Sequence, residues 1–335
     1  MDVSAYKNKI FFRADAGYTI GYGHFVRTLA LANMLKKDFI CTFFTCHPTE
    51  HQIGEMNQVC PYVSLDETNH YEAFLAYLQG DEIVVLDNYF FTTDYQRQIK
   101  AKGCKLVCLD DMHDKHYVAD LIINHAPGIR PSDYSREAYT QLCLGTDYLL
   151  LRKSFFEATN RPRTFTDNSI FICFGGSDEN NLTLRACRII CRLTDRPIIV
   201  IVGGGYQYMS ELKQFIKDKP IDVYSNIDAH EMVNMLLLAT LAIVPASTML
   251  LEACCVRIPI ITGYDVDNQR FMAANCGSLG LAYNCGNLCV DFEEKLEMAF
   301  AQMASVDVEE YVLRQKDLIT DSTDRLIQQF KLLLR

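Results

Sequence analysis

The segment Gly17-Tyr-Thr-Ile-Gly-Tyr-Gly-His-Phe-Val-Arg-Thr28 determines how the rest of the chain is interpreted. Residues 10–14 precede it and are apolar except for Arg13, as is typical of a strand, and residues 29–35 follow it and are mostly strong helix formers. The segment is therefore predicted to form a glycine-rich turn between a first strand and a first helix.

The chemistry of this turn centres on His24. Gly21 and Gly23 permit a tight turn and a close approach of a ligand to the backbone, and Arg27 follows His24 on the same face of the helix. At a helix start, unpaired amide groups and the positive end of the helix dipole favour a neutral imidazole, which suits a general base near pH 7. The alternative is that the glycines only form the turn and His24 is a polar helix-start residue.

The chain as a whole excludes several classes of function. Its 335 residues are enough for two domains of about 150 residues each. A formal net charge of −10 argues against general nucleic-acid binding, so local donors must bind any anionic ligand. Fourteen cysteines include no Cys-x-x-Cys pair, and neither a metal nor a cofactor is expected. Without a secretory signal or a membrane-spanning apolar run, a cytoplasmic location without stable membrane insertion is expected.

Strands alternate with helices in the first half of the chain, which predicts a parallel sheet. Acidic residues follow three of these strands, namely Asp15, Asp87 and the pair Asp110-Asp111. Ligands of open α/β sheets bind outside the carboxyl ends of the strands, so we expect these acids to lie near His24. Each acid taken singly could equally be a helix cap or a turn residue.

The second half repeats the order of the first. Residues 152–168 are polar and basic and are interpreted as an interdomain linker, after which strand, glycine turn and helix recur over residues 170–193. This repetition predicts an α/β protein of two doubly wound parallel-sheet domains that face each other across a cleft.

Two helix starts in the second half are predicted to bind phosphate. They are Gly175-Gly-Ser-Asp-Glu-Asn-Asn181 and Pro245-Ala-Ser-Thr248, which combine small residues and hydroxyls with backbone amides. Glu252 lies on a largely apolar helix rather than a surface one, so its carboxylate is predicted to bind vicinal hydroxyls such as those of a ribose. Asn268 and Gln269 offer amide groups at the cleft edge, unless they only form a turn.

Familiar nucleotide and hydrolase motifs are absent from the sequence. A dinucleotide-binding fingerprint would need a third glycine at Val26, and neither glycine turn continues as the Gly-Lys-Ser/Thr of a P-loop. There is also no His-Glu-x-x-His and no Gly-x-Ser-x-Gly.

Several segments taken together resemble one family, the UDP-sugar hydrolases of the pseudaminic acid pathway. The usual opening of that family is Arg-x-Asp followed by Ile-Gly-x-Gly-His-x-x-Arg, and this chain has Arg13-Ala-Asp-Ala and Ile20-Gly-Tyr-Gly-His-Phe-Val-Arg27. The resemblance continues in order to about residue 275, through Leu86-Asp-Asn-Tyr89, Leu109-Asp-Asp111, Leu144-Gly-Thr-Asp-Tyr-Leu-Leu-Leu-Arg152, Phe174-Gly-Gly-Ser-Asp178 with Asn181, Ala246-Ser-Thr248 with Glu252, and Asp267-Asn-Gln269.

The resemblance implies both a fold and a reaction. The family is similar in fold to the two-domain GT-B glycosyltransferases of the lipid II-forming type, and it hydrolyses UDP-2,4-diacetamido-2,4,6-trideoxy-β-L-altropyranose to UDP and free sugar. For this chain it implies a catalytic, sugar-binding domain over residues 1–152 and a UDP-binding domain over 168–307. A helical tail, 308–335, is expected to pack back on the first domain, and the implied partner is a small-molecule UDP-sugar.

Roles at individual positions follow from the resemblance and from the residues. His24 matches the family's base, which activates water at the anomeric carbon with inversion, and Tyr89 matches an active-site tyrosine. Asp15 and Asp87 would orient His24 or bind the sugar, and the sequence does not separate these two roles. The predicted substrate-binding positions are Gly21, Gly23, Arg27, Asn88, Gly175, Gly176, Ser177, Asn181, Ser247, Thr248, Glu252, Asn268 and Gln269.

The chain departs from the family pattern at one position, and two other functions are consistent with the sequence. Members of the family often have histidine where this chain has Asn88, so a second titratable group is missing. An inverting GT-B glycosyltransferase would place an acceptor hydroxyl where the hydrolase places water, and a non-catalytic nucleotide-sugar binding protein would use the same nucleotide site. The sequence leaves the oligomeric state open.

Overall fold

The structure is a computed structural model that describes residues 8–15, 22–161, 168–305 and 307–335. The chain divides into two compact units, Met1–Lys153 with Asp321–Arg335 and Ser154–Thr320, so it passes from one unit to the other twice. The predicted linker begins at this division, but part of it is helical, since Phe155 and Phe156 are buried in the helix Lys153–Ala158. Residues 162–167 of the linker lie outside the described residues.

The first unit is built on a seven-stranded parallel sheet. Its strands are β1 (Lys9–Ala14), β2 (Ile40–Cys46), β3 (Tyr62–Leu65), β4 (Ile83–Asp87), β5 (Lys105–Leu109), β7 (Leu121–Asn124) and β9 (Gln141–Leu144), while β6 (His116–Tyr117) pairs separately with β8 (Ser135–Arg136). The order in the large sheet is β3-β2-β1-β4-β5-β7-β9. Every residue of β4 is buried, as expected for a central strand of a sheet covered on both faces.

Helices cover this sheet and complete its core. They are α1 (Gly23–Leu35), α2 (Glu50–Asn57), α3 (His70–Tyr77), α4 (Thr93–Ala101) and α13 (Thr323–Leu332). One core cluster joins strand residues such as Phe44, Val84 and Leu106 to Phe74 of α3 and Ile99 of α4. Burial of these apolar side chains fixes the helices on the sheet and, with them, the loops at the strand ends.

The second unit has a six-stranded parallel sheet in the order β12-β11-β10-β13-β14-β15. Its strands are β10 (Ser169–Ile172), β11 (Ile198–Val202), β12 (Ile221–Ser225), β13 (Ala239–Pro245), β14 (Ile260–Tyr264) and β15 (Tyr283–Asn287). Its helices are α5 (Lys153–Ala158), α6 (Leu182–Leu193), α7 (Met209–Ile216), α8 (Ala229–Leu238), α9 (Thr248–Cys255), α10 (Arg270–Ser278), α11 (Phe292–Met303) and α12 (Val308–Leu318). No helix among the described residues is long and apolar enough to cross a membrane.

Both sheets reverse their strand order at the first strand of the unit. In the first unit β1 lies between β2 and β4, and Ala14 at its end pairs with Asp87 at the end of β4. In the second unit β10 lies between β11 and β13. The loops that follow these paired strands therefore emerge side by side, at the position where open α/β sheets bind ligands. The prediction of two doubly wound parallel-sheet domains is confirmed.

The predicted tail is divided between the units. Helix α12 belongs to the second unit, where the buried Gln315 donates from Nε2 to the carbonyl oxygens of Ile258 and Leu281. Helix α13 belongs to the first unit, where the Phe330 ring meets the Phe39 ring edge to face and Lys331 pairs with an aspartate of the α1–β2 loop at 2.6 Å. The last helix is therefore part of the same core as α1.

Candidate active site

The ends of β1 and β4 bring His24 and Asp87 together in the first unit. His24 is the second residue of α1, and its Nδ1 lies 2.7 Å from Asp87 Oδ1. Arg27, one helical turn later, donates from Nε to Oδ2 and from Nη2 to Oδ1, both at 2.6 Å. Thr28 Oγ1 donates to Oδ2 at 2.9 Å. The Asp87 carboxylate is thus buried, 1% exposed, at the centre of four hydrogen bonds.

The charge of Asp87 assigns the proton on His24. Burial alone would raise the pKa of Asp87, but Arg27 and His24 outweigh burial and lower this pKa to about 2. An ionised carboxylate only accepts hydrogen bonds, so Nδ1 of His24 is assigned as the donor, and Arg27 Nη2, 3.2 Å from Nδ1, donates to the nearer Asp87 oxygen. All hydrogen bonds of His24 to described residues involve Nδ1, so Nε2 is left as an acceptor.

Tyr89 and Asp111 extend this network. Arg27 Nη1 donates to Asp111 Oδ2 at 2.8 Å, and the Tyr89 hydroxyl donates to the same oxygen at 3.2 Å. The Tyr89 ring stands edge-on to the His24 imidazole, with the ring centroids 4.5 Å apart. Burial and then the Asp111 carboxylate raise the pKa of Tyr89, so its hydroxyl stays protonated. His24, only 5% exposed, lines a pocket together with these residues and Lys115.

Asp15 belongs to a different network. Its carboxylate accepts from the fully buried Arg13 guanidinium at 2.5 and 2.8 Å, from the backbone amide of Cys46 at 2.7 Å and from Thr45 Oγ1 at 3.2 Å. Of the two acids that the sequence analysis could not separate, Asp87 is the one that contacts His24 among the described residues. The Asp15 carboxylate instead joins the end of β1 to the end of β2.

Asn88 has a comparable connecting role. Its Oδ1 accepts from the backbone amide of Asp15 at 2.7 Å, and its Nδ2 donates to the carbonyl oxygen of Asp15 at 3.5 Å. A carboxamide offers an acceptor and a donor on one planar group, so Asn88 binds both backbone groups of Asp15 and fixes the ends of β1 and β4 side by side.

The structure accounts for only part of the predicted glycine turn. Gly21 lies outside the described residues. Gly23 is the first residue of α1, and a Cβ built there would have no described neighbour within 4 Å, so no steric need for glycine is seen at this position. The first-turn position predicted for His24 is what the structure shows.

In the second unit the glycine loops after β10 and β11 pack against each other. The amide of Gly203 donates to the carbonyl of Gly175 at 3.3 Å, and the amide of Gly205 donates to the carbonyl of Gly176 at 3.1 Å. A Cβ on Gly203 would lie 2.4 Å from the Cα of Gly176, and one on Gly205 would lie 3.4 Å from the Cα of Ser177. The small residues therefore allow two loops to approach at the backbone.

The two predicted phosphate sites differ at their helix starts. At α6, the buried Asp178 carboxylate accepts from the amides of Leu182 and Thr183 at 2.7 and 2.8 Å, so the protein's own anion occupies these donors. Burial raises the pKa of Asp178 to about 6 against the effect of these hydrogen bonds. At α9 the cap is uncharged, since Ser247 Oγ accepts from the amide of Met249 at 3.3 Å. The start of α9, with Thr248 as its first residue, therefore has a neutral cap where the start of α6 has a carboxylate.

The remaining predicted positions lie on neighbouring elements of the second unit. Glu252 is buried on α9, at 3% exposure, and Asn181 immediately precedes α6 with its Oδ1 accepting from the Tyr206 hydroxyl at 2.7 Å. Asn268 and Gln269 form a 3-10 turn after β14, where Gln269 Oε1 accepts from the backbone amide of Asp265.

Two residues near the first-unit site were not among the predicted site residues. Asp111 was noted only as a strand-end acid, and its bond to Arg27 could not be foreseen from spacing. His125 follows β7 and is 3% exposed, with Nδ1 accepting from the amide of Leu150 at 3.2 Å. Burial and then Arg27 lower the pKa of His125 to about 3, so this imidazole is neutral near pH 7. Both residues lie just after strands of the sheet, and this position was the feature of the sequence that could have marked them as site residues.

Comparisons with known proteins agree with these features. No protein-family model matches the chain. An uncharacterised protein of Methanocaldococcus jannaschii is 28% identical over 278 residues, which are 78% of this chain and 57% of that protein, so the chain spans little more than half of this relative. The UDP-2,4-diacetamido-2,4,6-trideoxy-beta-L-altropyranose hydrolase of Campylobacter jejuni is 28% identical over 278 residues, 79% of this chain and 94% of the hydrolase. The spore coat polysaccharide biosynthesis protein SpsG of Bacillus subtilis is 26% identical over 284 residues, 82% of each chain.

The chain resembles this hydrolase and SpsG. The resemblance inferred from the sequence motifs is thereby confirmed. Among solved structures, MurG of Acinetobacter baumannii aligns with a TM-score of 0.65 at 13% identity over 97% of this chain and 99% of MurG. UGT89C1 of Arabidopsis thaliana, complexed with UDP, aligns with a TM-score of 0.68 at 10% identity over 98% of this chain and 100% of its own. These likenesses show a GT-B-like α/β fold, and with the relatives they support an enzyme that processes nucleotide sugars.

Proposed function

We propose that this protein hydrolyses a UDP-activated 2,4-diacetamido-2,4,6-trideoxyhexose to UDP and the free sugar, in nonulosonic (pseudaminic-type) acid biosynthesis. The observation that carries this proposal is the 2.7 Å hydrogen bond between His24 Nδ1 and Asp87 Oδ1 in a pocket of the first unit. It fixes the imidazole with Nε2 as an acceptor for the proton of a water molecule. The resemblance to the Campylobacter jejuni hydrolase supports the choice of substrate.

The proposed reaction is a single displacement at C1. As the water oxygen bonds to C1, His24 Nε2 takes one of the water protons, and the bond from C1 to the β-phosphate oxygen breaks with its electron pair leaving on UDP. The Asp87 carboxylate stabilises the imidazolium that forms. Attack from the face opposite UDP inverts the anomeric centre. UDP is a good leaving group once donors hold its charge, so no strong general acid is needed.

We assign the other roles in the first unit from the hydrogen bonds that each residue makes. Arg27 uses Nε, Nη1 and Nη2 on Asp87 and Asp111, so we assign it to positioning rather than to direct substrate binding. Asp15 and Asn88 act further out, because their hydrogen bonds fix the ends of the strands that carry the site. Tyr89 is assigned to the wall of the pocket, where its ring lies beside the imidazole and its hydroxyl donates to Asp111.

The nucleotide is assigned to the second unit. The start of α9, with Ser247 and Thr248, offers amides and hydroxyls to the diphosphate, and the buried Glu252 on the same helix is assigned to the ribose hydroxyls. Gly175 and Gly176 give the adjacent loop a backbone surface without side chains. Such a site needs little side-chain charge, consistent with a chain of net charge −10.

A panel of UDP-activated 2,4-diacetamido sugars tests the proposal. We expect UDP release without any added acceptor, and proton NMR of the fresh product should show the inverted anomer before it mutarotates. Release of UDP only in the presence of an acceptor would overturn hydrolysis in favour of an inverting GT-B glycosyltransferase, which would have the same fold. Tight UDP-sugar binding without turnover across the panel would instead indicate a non-catalytic binding protein.

A further inference from the structure

Asp111 differs from the other acids of the first-unit pocket because one of its oxygens has no hydrogen-bond partner among the described residues. Oδ2 accepts from Arg27 Nη1 and from the Tyr89 hydroxyl. Oδ1 is buried and has no hydrogen-bond partner within the part of the chain that the structure describes. A buried carboxylate oxygen without a donor is costly, so this atom is expected to gain a donor when the pocket is filled.

We propose that Asp111 Oδ1 accepts a hydrogen bond from an N–H or O–H group of the sugar, and that Asp111 thereby determines which sugars the pocket accepts. The proposal rests on the proposed function and deepens it, since it names a residue for sugar recognition that the resemblance did not assign. It concerns ground-state and transition-state binding of the sugar and adds no proton transfer to the reaction.

The network around Asp111 fixes the direction of the carboxylate. Arg27 pairs with both Asp87 and Asp111, so Asp111 is oriented by the same arginine that holds the carboxylate bound to His24. The Tyr89 hydroxyl donates to the same Asp111 oxygen as Arg27 does, which leaves Oδ1 as the acceptor without a partner among the described residues. The Asp111 side chain is 16% exposed and lines the same pocket as His24. A group that donates to Asp111 Oδ1 would therefore belong to the same sugar whose C1 is attacked by the water that His24 activates.

The neighbouring Asp110 shows what a purely structural acid looks like in this pocket. Its Oδ1 accepts from the Tyr117 hydroxyl at 2.6 Å, and its Oδ2 accepts from the Tyr134 hydroxyl at 2.9 Å and from the amide of His113 at 2.8 Å. Both oxygens of Asp110 are therefore engaged by the protein, as are both oxygens of Asp87. Among the described contacts of this pocket, Asp111 is the acid with an oxygen left to accept from a ligand.

The charges of the pocket define the class of ligand. Asp87, Asp110 and Asp111 line it together with two cations, Arg27 and Lys115. Arg27 is committed to the acids, and Lys115 Nζ donates to the carbonyl oxygen of Tyr89 at 3.1 Å. An acidic surplus repels carboxylated sugars such as uronates and suits a neutral sugar with amide or hydroxyl donors.

The test compares substrates that differ by one donor. Asp111→Ala and the more conservative Asp111→Asn are assayed for kcat/KM on the best UDP-diacetamido sugar of the panel and on three analogues, two with one acetamido N–H methylated and one with the C3 hydroxyl removed. We expect the wild type to lose about 10- to 100-fold on one analogue, as for a hydrogen bond to a charged group. Asp111→Ala should lose a similar factor in kcat/KM on the parent sugar. In this variant the kcat/KM for the parent sugar divided by that for the same analogue, the discrimination ratio, should be near one.

Controls separate this inference from the others. Asp94→Asn, at an exposed acid on α4 paired with Arg97, should keep the wild-type ratio, and binding of UDP alone should be unchanged in all variants. Should Asp111→Ala fail to fold, Asp111→Asn gives the same ratio test. If both variants keep the wild-type discrimination against every analogue, the inference is wrong. If the wild type releases no UDP from any parent sugar, the proposed function fails instead.

Discussion

The two units have the same strand order around their first strand but different chemistry at the strand ends. In the first unit, the elements after β1 and β4 carry a buried network of charged side chains, His24, Arg27 and Asp87. In the second unit, the loops after β10 and β13 carry glycines and capped helix starts. The same position at the strand ends thus occurs twice in the fold, and in the function proposed above the loop residues adapt it to proton transfer in the first unit and to anion binding through backbone amides in the second.

The sharpest test of the first-unit network is Asp87→Asn. The amide would remove the Asp87 charge that pairs with the buried Arg27 and would no longer hold the proton on His24 Nδ1, so we expect kcat to fall by about 10⁴-fold. Loss of one partner of a buried ion pair should also destabilise the protein by about 3–5 kcal/mol. Steady-state kinetics and urea unfolding of the purified variant measure the two effects.

Asp15→Asn is the matched comparison for this variant. Asp15 is also buried and paired with an arginine, but it does not contact His24 within the described residues. We therefore expect a similar loss of stability with a much smaller fall in kcat. Equal losses of kcat in the two variants would show that the Asp87–His24 contact has no special role.

The pH dependence of stability provides a second measurement on Asp87. Its pKa of about 2 in the folded protein lies below the ordinary value of 3.8, so its stabilising contribution is fully present above about pH 4 and is lost as the pH falls through 2. Asp87→Asn should therefore flatten the acid side of the stability profile.

His24→Asn tests the proton acceptor itself. Because general-base catalysis contributes about 10²–10⁴-fold, we expect a fall in kcat of this order with UDP affinity unchanged. His230→Asn, at an exposed histidine of α8, is the control and should behave as wild type. Near-normal turnover in a folded His24→Asn protein would remove the base role and leave the first-unit network without a catalytic function.

The sequence predicted more of the elements than of the contacts. The strands that became β1, β4, β5 and β10 and the helices α1 and α6 were predicted because their apolar runs and turn signals are local properties. The short edge strands β3, β9 and β15 have mixed burial and were missed, since pairing with a neighbour rather than composition makes them strands.

The candidate site shows the same limit. His24 and Asp87 were recognisable from a helix start and a strand end, but their bond joins residues 63 positions apart. The separation of Asp15 from Asp87, and the use of Asn88 to bind the backbone of Asp15, depend on which strands are neighbours in space. The occupation of the α6 amides by Asp178 likewise depends on a left-handed turn at Asp178 and Asn181 that spacing alone does not predict.

Asp178→Asn tests whether a buried acid of the second unit changes the stability with pH in the opposite direction to Asp87 of the first. The pKa of Asp178 is raised to about 6, above the ordinary 3.8, so its contribution to stability is fully present below about pH 4 and is lost as the pH rises through 6. The wild type should lose about 3 kcal/mol of unfolding free energy from this group between pH 4 and 7, a range in which Asp87 does not titrate. Urea unfolding at both pH values should show this slope in the wild type and not in Asp178→Asn. An unchanged slope in the variant would assign it to another group.

Gly203→Ala tests whether stability and substrate binding in the second unit depend on the close backbone contact of its glycine loops, as the network of the first unit depends on charge. The added Cβ would lie 2.4 Å from the Cα and 2.5 Å from the carbonyl oxygen of Gly176, and backbone atoms cannot turn aside as a side chain can. Forced separation of the two glycine loops should destabilise the protein by about 1–3 kcal/mol. It should also raise KM for the UDP-sugar more than it lowers kcat, because the His24–Asp87 pair is in the other unit.

Gly204→Ala is the control, since its nearest contact is the Asn226 side-chain oxygen at 3.1 Å, which can move. Equal effects of the two variants on stability and KM would show that the close approach of the glycine loops has no part in binding.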